Sequence, residues 1–144
     1  AINYLNIISK KINKYNGGIL IIDYGYLNKK MKNTIQSISN HNFSNILDNI
    51  SNSDITHSLN FTLIEKMSKA LDLKVNGITN QKNFLTNLGI LKRAEIISKK
   101  LTFLQKADIY YRVKRLIDKN LMGEIFKVML ITKKSINFKT GFTN

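Results

Sequence analysis

The chain has no cysteine, no proline and no tryptophan among its 144 residues. Without cysteine it can form no disulfide and no thiolate metal site, and it fits a reducing compartment. Acids are scarce too: nine Asp and Glu stand against 23 Lys and Arg, a formal net charge of +14. No apolar run approaches the ~20 residues that a membrane-spanning helix needs. The opening AINYLNIISKK has neither a charged n-region leading into an apolar h-region nor an Arg/Ser-rich transit pattern. These absences predict a cytoplasmic location and no membrane partner. The first residue is Ala1 rather than methionine, which reads as a trimmed or partial product.

The excess of positive charge invites a nucleic-acid reading. The basic residues, however, are nearly all lysine and run the whole length of a chain heavy in Asn and Ile. That pattern favours compositional drift, with lysines on solvated faces, over a dedicated nucleic-acid site. The densest basic stretches, LKRAEIISKK (91–100) and YRVKR (111–115), are both of helical type.

An apolar fraction of 43% in a chain of this length fits one domain with a real core. Ile2, Leu5, Ile8, Ile12 and Tyr15 recur at helical spacing, and Gly17-Gly18 can end that helix by supplying a left-handed residue. ILII (19–22), bounded by glycine, reads as a buried strand of the parallel type. Residues 27–60 are polar and poorly periodic, a surface or functional excursion with one extended piece near 33–38. Asn60 is a candidate N-cap for a helix over Phe61–Leu71, and 73–79 reads as a strand. Asn80 can cap a helix carrying Phe84, Leu85 and Leu88, which Gly89 interrupts. Further helices are predicted from Leu91 and over Ala107–Asn120, then a strand over 124–132. The order is α/β. Residues 1–134 read as a single domain and 135–144 as a tail.

Most catalytic signatures are missing. Gly17-Gly18 precede the strand, where a dinucleotide fingerprint would follow it, and no G-x-S-x-G elbow occurs. His41 and His57 lie far apart, so no metal site is expected. Asp23-Tyr24-Gly25-Tyr26 stands out by position, because ligands of open parallel sheets bind beyond the carboxyl ends of strands. Two readings stand for it: a charge and two phenols at a binding edge, or a turn-capping acid with tyrosines covering core. SDITHSLNF (53–61) groups Asp54, Thr56 and His57 before a helix, and on residues alone capping chemistry is the favoured reading.

Four stretches, in order, resemble the C-terminal half of the MidA-type (DUF185) S-adenosylmethionine-dependent methyltransferases. GGILIIDYGY resembles the family's GGxLLxDYGY strand, and NTIQSISNHNF its DTLQAxxxHxF segment. TNQKNFLTNLGILKRAE is similar to TQxxFLxxLGIxxRAE, and LMGEIFKVMLI to MGxLFKVLxx. The resemblance covers nearly the whole chain and is most specific in the last two stretches. It implies the C-terminal part of a class I, Rossmann-like methyltransferase fold. Ile19–Ile22, Lys74–Ile78 and Ile125–Thr132 would be its fifth, sixth and seventh strands, the seventh antiparallel and between the other two. The family's mitochondrial member, a protein arginine methyltransferase needed for respiratory complex I assembly, implies arginine methylation.

The family's E-x-G-x-G loop, the acid after its second strand and its ANE-x-x-DALP segment hold S-adenosyl-L-methionine, and none occurs in this sequence. The resemblance therefore implies no cofactor-binding residues here and no cofactor binding by this stretch alone. It also implies a partner, an N-terminal methyltransferase half, fused or split. One motif departs: D-[LI]-T-A-H-V-D-F is answered by Asp54-Ile55-Thr56-His57-Ser58-Leu59-Asn60-Phe61, with histidine displaced by one and Asn60 in place of an acid. A one-residue displacement turns a side chain to the opposite face of a strand.

The first functional expectation is thus the substrate side of a methyltransferase acting on a protein, with Asp23, Tyr24, Tyr26, Asp54 and His57 as candidate catalytic residues. Orienting a guanidinium and removing its proton calls for such groups. Strand 19–22, without its neighbour, would leave an open apolar edge. Either a homo-oligomer or the first helix is expected to cover it. The alternatives are a non-enzymatic remnant, a basic nucleic-acid-binding module acting through 91–115, and an RNA methyltransferase needing the same missing half.

Overall fold

The computed structural model describes residues 2–48 and 51–142. Helix α1 (Ile2–Tyr15) ends where Asn16 takes the left-handed conformation, φ 55°. The Gly17 N–H then closes back on the Ile12 carbonyl at 3.1 Å. The helix stop is therefore made by Asn16, a residue whose short amide tolerates this region, and the glycines are not the left-handed position.

Strand β1 (Gly18–Tyr26) is longer than its apolar run. Asp23 and Tyr24 stay extended because they pair with Lys127 and Phe126 of the last strand, while Gly25 and Tyr26 pair on the other side with Leu59 and Asn60. The polar tetrad is the last four residues of the strand, not a turn beyond it.

The excursion that follows holds a small antiparallel sheet of β2 (Gln36–Ser39), β3 (Asn42–Ser44) and β4 (Asp54–Thr56), with β2 in the middle. A two-residue turn joins β2 to β3, with Asn40 and His41 both at positive φ, the mirror-image geometry that suits hairpins. His41 is thus a turn residue. The two-residue β5 (Leu59–Asn60) then leads into α2 (Phe61–Ala70).

As expected, the Asn60 side chain caps α2 by accepting the Leu63 N–H. Strand β6 (Leu73–Asn80) ends in a second asparagine cap, Asn80, on α3 (Gln81–Asn87). Gly89, at φ 81°, turns the chain into α4 (Ile90–Ser98). Helix α5 runs Phe103–Ile117, four residues earlier at its start than the periodicity implied, because Thr102 and Gln105 form a reciprocal capping box. A single helical turn, α6 (Met122–Ile125), takes the first residues expected in the last strand, so β7 is Phe126–Lys133.

The main sheet has the order β5-β1-β7-β6, with β7 antiparallel to both long neighbours and β5 parallel to β1. Val128, Met129 and Ile131 of the central β7 are fully buried. On one face α1 and α2 close a core of Ile12, Phe61, Leu73, Met129 and Ile131. On β6, Phe142 lies over Gly77 and its ring meets Phe84 at 5.1 Å, so the described part of the tail is held to the domain. Helix α1 packs on α2 and β7, on the face of the sheet. The outer edge of β1 pairs, among the described residues, only at Gly25 and Tyr26. Beside that edge Leu20 and Ile22 remain 46% and 47% exposed.

Candidate functional site

A cavity of about 450 Å³ lies where the end of β1 faces the small sheet. Tyr24, Thr34, Gln36, Thr56, His57 and Ser58 supply its polar groups, and Gly25, Ile38 and Ile125 complete the wall. The Tyr24 ring is fixed from behind by Phe126, its cross-strand partner, at 4.2 Å between centroids. Thr34 holds the opposite wall together: its Oγ1 accepts the Ser58 N–H at 3.0 Å and donates to the Ser58 carbonyl at 3.5 Å.

Of the five residues singled out from sequence, the cavity brings together two, Tyr24 and His57. Strand alternation puts Asp23 on the opposite face of β1 from Tyr24, and its carboxylate accepts the Tyr24 N–H at 2.7 Å. The Tyr26 hydroxyl accepts the Lys32 N–H at 3.0 Å, and the Lys32 ammonium lies 5.4 Å from the ring, so Tyr26 organises the following loop. Asp54 shares a face of β4 with Thr56 by the same alternation, but it does not line the cavity.

Thr34, Gln36 and Ile38 were not singled out, although they stand inside the NTIQSISNHNF stretch that carries the family pattern. His57 and Ser58, the displaced histidine and the residue after it, both line the cavity. Asn60, where the family has an acid, is 92% buried, caps α2 and donates to Met31 Sδ at 3.5 Å.

The family model described as "Putative S-adenosyl-L-methionine-dependent methyltransferase" matches residues 1–79, more than half of the chain. The chain belongs to this family. Within it, the chain is similar to the mitochondrial protein arginine methyltransferase NDUFAF7 of Xenopus tropicalis, 27% identical over 131 residues. The same protein of Danio rerio is 27% identical over 120 residues. These matches take in 89% and 83% of this chain but only 30% and 28% of those proteins.

Two solved structures from Burkholderia thailandensis share the fold. One, an uncharacterised COG1565-superfamily protein, superposes with TM-score 0.82 at 22% identity over 99% of this chain and 39% of its own. The other, a "likely methyl transferase" of that superfamily bound to S-adenosyl-homocysteine, gives TM-score 0.74 at 22% identity, over 99% and 36%.

The residues that line this cavity do not fit the cofactor of such a family. No carboxylate lines the cavity to receive ribose hydroxyls, and no glycine-rich turn follows β1 at the head of a helix. The wall offers hydroxyls, an amide and one imidazole, which suits orienting a polar acceptor and taking up a proton at His57. Among the described residues, no group of three or more His, Asp or Glu is placed to hold a metal ion. None of their helices is long and apolar enough to cross a membrane.

Proposed function

We propose that this chain forms the acceptor side of an S-adenosylmethionine-dependent protein methyltransferase, with arginine as the methylated residue. The cofactor wall would come from residues outside this sequence, fused or on a separate polypeptide. The observation that carries this reading is the cavity itself: it joins Tyr24 to His57 beside an open strand edge, yet has none of the groups that hold the cofactor. The name of the NDUFAF7 relatives supports arginine, and the small share of their length that is matched supports a missing part.

In this reading β1, β6 and β7 are the fifth, sixth and seventh strands of a class I methyltransferase sheet. The antiparallel β7 between the other two supports that numbering. The free side of β1, flanked by Leu20 and Ile22, is where the complementary half adds its strand. A second copy would cover it when that half is absent.

Methyl incorporation tests the reading. The chain alone should transfer no label from S-adenosylmethionine to arginine-containing proteins. The chain joined to a cofactor half of its family should label arginine, and His57→Ala should lower that rate at least tenfold. Transfer by the chain alone would overturn it.

A further inference from the structure

Helices α4 and α5 form a hairpin in which no residue is fully buried, although both carry apolar stripes. Between them runs a groove of about 410 Å³ floored by Leu91, Ala94, Ile109, Val113 and Ile117. The hairpin tip is more exposed still, with Phe103 83% and Leu104 79% accessible. Lys99, Lys100 and Lys106 surround that pair in sequence. Among the described residues the hairpin's ion pairs are Lys92–Glu95 and Arg112–Asp108, which leave those three ammonium groups without a carboxylate.

We infer that the α4–α5 tip is a contact site for an anionic lipid surface. Phe103 and Leu104 stand exposed at the start of α5, Leu104 beside an open depression of about 380 Å³ that Leu101, Gln105, Asp108 and Ile109 also line. A lipid interface yields around such a tip, accepting apolar groups at the headgroup boundary while anionic headgroups meet the lysines. The chain's net charge of +14 adds attraction of the same sign. Nucleic acid would use the lysines and could stack a base on Phe103, but it would leave Leu104 without a role. The expected absence of a membrane partner rested on the lack of a span, and a surface contact requires none.

Vesicle co-sedimentation of the full chain at 50 mM salt tests this, with phosphatidylcholine vesicles against vesicles containing about one-third phosphatidylglycerol. Anionic vesicles should bind the chain at least tenfold better than neutral ones. The double variant Phe103→Ser/Leu104→Ser, which removes only exposed side chains, should lose most of that binding with circular dichroism unchanged. Lys99→Glu/Lys100→Glu/Lys106→Glu should lose it as well. No binding to anionic vesicles would overturn the inference, and so would binding that ignores the Phe103/Leu104 change. Tight, salt-sensitive binding to RNA that displaces the vesicles and depends on the lysines alone would assign the surface to nucleic acid instead.

Discussion

Thr34 and Ser58, 24 residues apart in sequence, share two hydrogen bonds that close one wall of the cavity. The pair ties the polar excursion to the segment carrying His57, so the position of the imidazole depends on it. Thr34→Val keeps the volume and removes both bonds. It should cost about 1 kcal/mol, read from the midpoint of urea unfolding. Hydrogen exchange at the Ser58 amide should rise with it.

Gly25 is held to glycine by packing. A methyl group there would lie 2.3 Å from the Phe61 ring and 2.7 Å from the Leu59 carbonyl oxygen. Phe61 is fully buried and Leu59 belongs to the strand paired with Gly25, so neither can retreat. Gly25→Ala should destabilise the fold by about 3 kcal/mol, seen as a large drop in the thermal midpoint. An unchanged midpoint would mean that α2 does not press on β1 as described.

The start of α5 gives a surface prediction. Thr102 and Gln105 cap each other's backbone N–H groups. Thr102→Ala should cost about 1 kcal/mol, measured by denaturant unfolding. Thr102→Ser should be close to neutral.

Much of this architecture is legible in the sequence. Asn60 and Asn80 are polar residues ahead of apolar stripes, and each side chain accepts a backbone N–H in the first turn of its helix, from Leu63 and Asn83. The Thr102 capping box was equally readable, being a threonine three residues before a glutamine, but the apolar spacing around Tyr110 and Val113 drew the boundary inward. Two features lay beyond local reading. Strand β1 continues through an acid and a glycine only because distant residues of β7 and β5 pair with it. The β2–β3 hairpin turns on Asn40-His41, without the glycine that usually marks such turns, and its strands are too short to show alternation.

The candidate site was half legible for a related reason. Tyr24 and His57 stood in motifs that attracted attention, but strand alternation, which separates Tyr24 from Asp23, matters only once the strand is known to run to Tyr26. Thr34 and Gln36 come to the cavity through the small sheet, whose pairing is tertiary.

Calorimetric titration of S-adenosyl-homocysteine into the purified 144-residue chain tests the central claim most directly. If the cofactor wall lies outside this sequence, the titration gives no binding heat up to about 1 mM ligand, an affinity weaker than about −4 kcal/mol. A saturable isotherm with a micromolar Kd would contradict the account, because it would place a complete cofactor site within these residues.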